Sequence, residues 1–173
     1  VLDIRQTSPR AVIDWGRFDV GAQATVNFQQ PNAQAATLNR VQAGAPSQIF
    51  GRITAPGQVF ILNPSGVMFG ASAQVDVGGL VATTHRLSDA DFMAGRIALE
   101  RGGATGAVVN EGDIRTTIAG YAALLAPEVR NSGIIVARQG TVALAAGEAI
   151  TLQFEGSSLV GLTVTPSALS RIR

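Results

Sequence analysis

Short runs of apolar residues, each ending in a turn signal, recur along the whole chain. In 24–29 (Ala-Thr-Val-Asn-Phe-Gln) apolar and polar residues alternate, which predicts a β-strand with one buried face. The stretches 11–15 and 36–41 predict further strands, and from residue 49 to residue 82 apolar runs and corners follow one another. These segments are rich in Val and Ile and are punctuated by Gly, so they predict a protein built from many short strands.

An internal repeat indicates how the strands are arranged. The motif at 120–126 (Gly-x-x-Ala-Leu-x-Ala) recurs 20 residues later, and the motif at 110–114 (Asn-x-Gly-x-Ile) recurs 21 residues later. A fixed period of this size with short β segments is typical of a solenoid. We therefore predict an all-β fold, a right-handed single-stranded parallel β-helix with coils of about 20 residues and small excursions outside the helix. We expect the Ala and Leu of the two copies to stack in one interior ladder, and the asparagines to stack at corners.

One segment, 88–95, departs from the strand pattern. Its sequence predicts a single helical turn with Ser88 as N-cap, Asp91 in the first turn and Gly95 as the C-terminal stop. We expect this turn to lie outside the solenoid and to cover one of its faces.

Composition excludes several classes of function. The net charge is +1 and all 13 basic residues are scattered arginines, so we predict no nucleic-acid binding. No apolar run reaches the roughly 18–20 residues of a membrane-spanning helix, so we predict no stable membrane insertion. The absence of cysteine excludes disulfides and Cys–zinc sites, and it is compatible with export as an unfolded chain.

Candidate catalytic residues are few. The close carboxylates Asp89 and Asp91 are already explained by the helix cap, and the single histidine, His85, is expected at the surface where a strand ends. The single tryptophan, Trp15, is expected to close one end of the core. No phosphate-binding loop can form without lysine, and no metal site can rest on one histidine. We predict that the chain is not an enzyme and binds no cofactor.

The stretch 57–70 consists of an apolar run, a polar corner and a second apolar run. In the corner, Asn63 precedes proline and can bond to nearby backbone, while Pro64 fixes φ for a turn. Ser65 can also bond locally, and Gly66 permits a positive φ. These residue types predict a tight corner between two buried strands.

This stretch and its neighbours resemble the secretion domain of two-partner-secretion exoproteins, the filamentous-haemagglutinin-like adhesins and haemolysins of Gram-negative bacteria. The segments that carry the resemblance occur in order, with specific motifs over roughly residues 10 to 100; they are 26–31, 38–41, 47–49, 57–70, 77–82 and 88–95. Asn63-Pro64-Ser65-Gly66 occupies the place of the family motif Asn-Pro-Asn-Gly, with Ser at its third position. A second family motif, Asn-Pro-Asn-Leu, has no copy here.

The resemblance implies a non-enzymatic secretion and folding module of a large exoprotein. A partner translocator in the outer membrane would recognise it through periplasmic domains, and the chain would cross unfolded and fold outside the cell. It implies that translocator recognition involves Asn63, Pro64, Ser65 and Gly66, with Asn39, Arg40, Gln58 and Phe60 as supporting motif residues. The protein would then be secreted to the cell surface, and a host receptor would bind parts of the exoprotein outside this chain.

We expect residues 1–100 to form the core of the secretion domain, with an incomplete N-terminal cap, and residues 101–173 to continue its coils. Two alternatives remain open at this point. Because solenoid ends need caps, the coils could stack end to end into a surface filament. The other alternative is a polysaccharide-active β-helix enzyme, and this hypothesis predicts carboxylates that converge on one exposed face.

Overall fold

The computed structural model describes residues 1–42, 44–166 and 171–172. Almost all regular structure in this part of the chain is β-strand, and one short helix interrupts it. The elements are β1 (Leu2–Arg5), β2 (Arg10–Trp15), β3 (Thr25–Gln29), β4 (Ala36–Val41), β5 (Ser47–Ile49), β6 (Arg52–Thr54), β7 (Gln58–Leu62), β8 (Val67–Phe69), β9 (Gln74–Thr83), α1 (Asp89–Ala94), β10 (Ile97–Glu100), β11 (Ala107–Asn110), β12 (Asp113–Leu125), β13 (Glu128–Asn131), β14 (Ile134–Val136), β15 (Thr141–Ala145), β16 (Ala149–Glu155), β17 (Ser158–Thr165) and β18 (Arg171–Ile172).

The strands form a parallel β-solenoid of about six coils, as predicted. Face one contains β1, β3, β6, β14 and the first parts of β9 and β12. Face two contains β2, β4, β7, β15 and the second parts of β9 and β12. Face three contains β5, β8, β11, β13 and β18. We number the coils from the N-terminus as coil 1 (2–20), coil 2 (25–42 and 44–49), coil 3 (52–69), coil 4 (74–110), coil 5 (113–131) and coil 6 (134–166 and 171–172).

The repeat predicted from the sequence is present as stacked coils. Ala123 pairs with Ala143 and Leu124 with Leu144 in the register of β12 and β15. Asn110 pairs with Asn131, and its Nδ2 donates to Asn131 Oδ1 at 3.0 Å, so the expected asparagine stack is confirmed. The expectation of one interior ladder for alanine and leucine is wrong. Successive side chains of a strand point to opposite faces, so Leu124 lies inside the solenoid and Ala123 on the outer side of face two.

Face two is therefore covered on both sides. All five residues of β7 are buried, because Val59 and Ile61 point into the solenoid while Phe60 and Leu62 point outward into a second apolar cluster. Two excursions build the outer cover of this cluster. They leave the solenoid between faces two and three, one after β9 in coil 4 and one after β15 in coil 6.

The first excursion contains α1 and β10. Ser88 Oγ accepts from Asp91 N at 3.1 Å, and Gly95 ends the helix with φ 80°, so the predicted caps are confirmed. Phe92 is buried against the outer side of face two. The expected role of this turn as the cover of a face is therefore also confirmed. No helix among the described residues is long and apolar enough to cross a membrane.

Small excursions were predicted in general, but the position of the second one was not. After β15 the chain forms an antiparallel hairpin of β16 and β17, and β16 pairs antiparallel with β10 of the first excursion. Residues 107–145 lie on the three faces, whereas 149–165 lie outside them. The proposed division of the chain near residue 100 remains a prediction.

Candidate functional site

The Asn63 corner joins β7 to β8, between faces two and three of coil 3. Asn63 N donates to Thr83 O at 3.0 Å, which holds the corner against coil 4. Gly66 N donates to Asn63 O at 3.0 Å, and Ser65 N donates to Asn63 Oδ1 at 2.9 Å. The corner is therefore a hydrogen-bonded turn in which the asparagine side chain imitates backbone.

The side chain of Asn63 also connects coil 3 to coil 2. Its Nδ2 donates to Ala45 O at 3.0 Å and to Ser47 Oγ at 3.1 Å. The residue is 0% exposed. Both donors and the acceptor of the amide are thus used inside the folded protein, and the group is not presented to a partner there.

Gly66 is required by the geometry of the same corner. Its φ is 127°, and a Cβ at this position would lie 2.9 Å from Ala107 O in coil 4. Gly66 O also accepts from Ser47 N at 3.0 Å. The close approach of two coils therefore excludes a side chain here.

The exposed part of the corner is small. Pro64 is exposed and Ser65 is half-buried. Pro64 lies at the rim of an open groove of about 740 Å³ between the corner and the first excursion. The residues around this groove include Arg40, Leu62, Arg86, Ser88, Asp89 and Glu100.

Asn39 occupies the middle of β4, one coil below Ile61. It is buried, and its Nδ2 donates to Phe60 O at 3.1 Å. Its Oδ1 accepts from Trp15 Nε1 at 3.0 Å, and the Trp15 ring meets Phe18 edge to face at 5.2 Å. Trp15 packs, partly buried, against the core, which agrees with the structural role expected for it.

Arg40 fastens the first excursion to the solenoid. Its guanidinium forms an ion pair with Asp89 and donates to Leu87 O, and Asp14 lies 3.5 Å away. Only 20% of its side chain is exposed. Arg40 therefore anchors the start of α1. No local sequence motif predicted this role.

Gln58 and Phe60 face the outer cluster of face two. Gln58 Oε1 accepts from the buried Tyr121 hydroxyl at 2.7 Å, and burial raises the pKa of Tyr121, so this hydroxyl keeps its proton. The Phe60 ring meets Phe92 of α1 edge to face at 5.2 Å. Gln58 therefore links coil 3 to coil 5 across β9, and Phe60 holds the first excursion against β7.

The structure brings two supporting residues, Arg40 and Phe60, to the place where α1 docks. Asn39 is on the inner side of face two, in register with Ile61, and Gln58 lies at the opposite end of β7 from Leu62. Sequence reasoning missed Arg10, whose Nε donates to Phe92 O at 2.7 Å and whose guanidinium lies 4.4 Å from the Phe92 ring centroid. It also missed Gln30, which bonds to Gly57 N and Gln58 O. The Gln30-Pro31 pair in the motif set was a usable signal for Gln30; no sequence signal marked Arg10.

The candidate catalytic residues have structural partners. Asp89 pairs with Arg40, and Asp91 accepts from Arg96 at 3.2 Å. The prediction that His85 lies at the surface is wrong, because His85 is 0% exposed and its Nε2 lies 2.8 Å from Gly147 O. His85 lies just after the end of β9, and the second excursion, whose position the sequence did not predict, covers it there.

Carboxylates do meet on the exposed side of face one. Asp76 lies 3.5 Å from Arg52, and Asp113 lies 2.8 Å from Arg115, and all four residues surround one shallow cavity. Each carboxylate is paired with an arginine, which is the arrangement of a charged surface. Among the described residues, no group of three or more His, Cys, Asp or Glu is placed to hold a metal ion.

Comparison with known proteins agrees with this architecture. The sequence model of the family described as TPS secretion domain matches residues 1–169. A heme/hemopexin-binding protein of Haemophilus influenzae (strain ATCC 51907 / DSM 11121 / KW20 / Rd) is 36% identical over 166 residues, covering 91% of this chain and 18% of that protein. A second Haemophilus influenzae heme/hemopexin-binding protein is 46% identical over 86 residues, covering 50% of this chain and 9% of that protein.

The crystal structure of the HMW1 secretion domain from Haemophilus influenzae superposes with a TM-score of 0.87 at 27% identity, covering 94% of this chain and 45% of that chain. The chain thus spans less than a fifth of the length of the curated relatives that it matches. The family match over nearly the whole chain, the related sequences and the shared solenoid lead to one conclusion. The chain belongs to the TPS secretion domain family, the secretion module of large exoproteins.

Proposed function

We propose that a partner translocator in the outer membrane reads the Asn63 corner of this domain before the chain folds, and that folding outside the cell then hides the corner. The translocator would bind through its periplasmic domains. Asn63, Pro64, Ser65 and Gly66 would form the recognised segment, with Asn39, Arg40, Gln58 and Phe60 supporting it.

The observation that carries this proposal is the burial of the motif in the folded protein. Asn63 and Asn39 are 0% exposed, Phe60 is 2% exposed and Gln58 is 5% exposed. A partner can contact these side chains directly only when the coils have not yet closed around them. The same burial makes the folded domain a poor ligand, so folding would release the chain from the translocator.

The domain would act without catalysis and without a cofactor. Folding would supply a driving force for export, because the closed coils bury apolar surface that is exposed in the extended chain. The longer exoprotein would cross the periplasm and reach the cell surface. Binding of a host receptor, like the heme or hemopexin binding in the relatives' names, would belong to the longer exoprotein.

A binding titration tests this proposal. The purified periplasmic domains of the translocator are titrated with the chain held unfolded in urea, and then with the folded chain. We expect Asn63→Ala to weaken binding of the unfolded chain at least about tenfold, and folded chain to bind weakly. Asn110→Ala is the matched control, since Asn110 closes a similar corner outside the recognised segment.

Wild-type binding by Asn63→Ala would contradict a recognition role for the corner. Equal binding of the folded and the unfolded chain would contradict recognition of the corner by the translocator before folding. Secretion of the two variants from cells provides a second readout, and we expect Asn63→Ala to reduce export more than Asn110→Ala does.

A second proposal is that the coils also stack end to end. Leu2 in coil 1 and Ile134 and Val142 in coil 6 are exposed apolar residues. In the described part of the chain β2 pairs only with β4, so one edge of β2 is free to accept another strand. Solution scattering that gave a compact monomer at every concentration would contradict this assembly.

A further inference from the structure

The two excursions form one outer layer although they come from different coils. They leave the solenoid at the same corner in coils 4 and 6, and β10 of the first pairs antiparallel with β16 of the second. In the described part of the chain, β16 and β17 pair with each other and β16 pairs with β10, and neither strand forms a ladder with the coils. Its hold on the solenoid therefore depends on side-chain packing and on the contacts where it begins.

The packing covers the last two coils on face two. Phe154 meets the Tyr121 ring edge to face at 5.2 Å, and Leu152 and Leu159 pack in the same cluster as Ala143. Thr141 Oγ1 donates to Leu159 O at 3.0 Å. Removing the hairpin would leave the interior of the solenoid intact and expose the outer side of β15.

The contacts at the start of the hairpin join it to the first excursion. Arg101 Nε lies 2.8 Å from Glu148 Oε2, and Arg101 N donates to Glu148 O at 2.8 Å. The other contact is made by His85, whose Nε2 donates to Gly147 O, since a carbonyl can only accept.

This bond defines the state of the His85 ring. With the proton of the neutral ring on Nε2, Nδ1 is an acceptor, and it has no hydrogen-bond partner among the described residues. A second proton would place a charged N–H in a fully buried position without an acceptor. Burial lowers the pKa of His85, and the nearby Arg101 lowers it further, while Gly147 O and Glu148 oppose the shift.

We propose that the β16–β17 hairpin is a strap over face two, and that protonation of His85 opens it while the coils beneath stay folded. The switch consists of the binding of one proton to Nδ1 of His85. The neutral ring fits the closed junction, and the charged ring is accommodated only when Gly147 moves away and water reaches Nδ1.

The direction of the pH dependence follows from this preference. Because the closed state lowers the pKa of His85, closure is fully favoured above the open-state pKa of about 6.5 and weakens as pH falls below it. For each unit by which the closed-state pKa lies below the open-state pKa, the closed population relative to the open one falls about tenfold at low pH. The Glu148 carboxylate forms an ion pair with Arg101, and it does not serve as the acceptor that a protonated His85 Nδ1 would need.

Thiol labelling measures strap opening directly, because the chain has no cysteine of its own. Ala143→Cys places a thiol beneath the strap, and Ala122→Cys places one inside the solenoid as the matched control. Labelling rates with a pyridyl disulfide, which reacts at acidic pH, are divided by the rate for an unfolded chain. Between pH 7.5 and 5.0 we expect the normalised rate at position 143 to rise at least about tenfold and the rate at position 122 to stay constant.

Two variants assign the effect to the histidine. His85→Gln keeps a donor toward Gly147 O but cannot be protonated, so we expect its labelling at position 143 to be independent of pH. Glu148→Gln removes the carboxylate that acts on the His85 ring, and we expect this variant to retain the pH dependence. A pH dependence that survives in His85→Gln, or a parallel rise at positions 122 and 143, would overturn the proposal.

A measurement without substitution keeps the test independent of variant folding. The chain contains one histidine, so its ring gives a single signal by NMR. We expect the pKa measured from that signal in the folded chain to be lower than the pKa of the same ring in urea. We also expect residues 149–165 to lose amide protection over the same pH range. Titration with the same pKa in both states, or without loss of protection in the hairpin, would also overturn the proposal.

Discussion

Asn63 and Asn110 close two different corners of the solenoid with nearly the same hydrogen bonds. In each corner the side-chain oxygen accepts from the backbone amide two residues ahead, at 2.9 Å for Ser65 N and 3.0 Å for Gly112 N. In each, Nδ2 donates to a neighbouring coil, to Ala45 O or to Asn131 Oδ1, both at 3.0 Å. Both asparagines are 0% exposed.

The differences between the corners lie in their surroundings. Asn63 bonds back to coil 2 and is followed by a proline and a glycine with positive φ, whereas Asn110 bonds forward to a second asparagine in coil 5. Only the Asn63 corner belongs to the motif set that resembles the family. An asparagine corner is therefore a general device of this solenoid, and a recognition role must depend on the sequence around Asn63 rather than on the folded corner itself.

The largest effect is expected from removing each asparagine. Asn63→Ala removes three side-chain hydrogen bonds made by a residue that is 0% exposed, so we expect the free energy of unfolding to fall by about 3 kcal/mol. Asn110→Ala also removes three side-chain hydrogen bonds, but the bond to Gly112 O is long at 3.4 Å, so this variant should cost about 2 kcal/mol. Urea unfolding followed by the fluorescence of the single tryptophan measures both.

A surface turn serves as the control for this pair. Asn32 Oδ1 accepts from Gln34 N at 3.0 Å, but Asn32 is exposed. Water can replace that bond, so Asn32→Ala should cost about 0.5 kcal/mol or less. If Asn63→Ala cost no more than Asn32→Ala, the folded corner would not depend on the asparagine, and the comparison with Asn110 would fail.

A smaller effect is expected from the glycine that distinguishes the Asn63 corner. Gly66→Ala must adopt a positive φ and place its Cβ against Ala107 O, so we expect it to cost about 2 kcal/mol. Gly103→Ala provides the control, because Gly103 has φ 84° with open space around it and should cost only about 1 kcal/mol. Equal losses in the two variants would show that coil contact at Ala107 adds nothing to the strain.

The smallest effect concerns the acceptors in the neighbouring coils. Ser47→Ala and Asn131→Ala each remove one acceptor of an asparagine Nδ2 that retains another contact, with Ala45 O or Gly112 O. We therefore expect losses of about 1 kcal/mol or less. Double-mutant cycles with Asn63→Ala and Asn110→Ala should give similar coupling energies at the two corners. A coupling at one corner only would break the analogy.

The sequence predicted the solenoid because its repeat near 20 residues and its short apolar runs have few other solutions. The cap residues of α1, Ser88 and Gly95, were also readable, since capping depends on neighbours along the chain. The corner chemistry of Asn63 and Gly66 was predicted for the same reason. The stacking of Asn110 on Asn131 followed from the repeat alone.

Other features depended on contacts between distant residues. The outer layer brings together residues 97–100 and 149–155, which no local pattern connects. That layer buries His85, so the expectation that this histidine lies at the surface failed. Arg40 and Arg10 read as scattered surface charges, yet they hold α1 onto the solenoid.

The sequence by itself determined the period of the coils, the corners and the family, because each rests on residues close together along the chain or on a repeated spacing. Only the tertiary structure decided that the Asn63 side chain is internal and that face two is covered on both sides. The physical reason is that burial of a side chain depends on what packs over it, and the covering segments come from distant parts of the chain, as when Gly147 at the start of the hairpin meets His85.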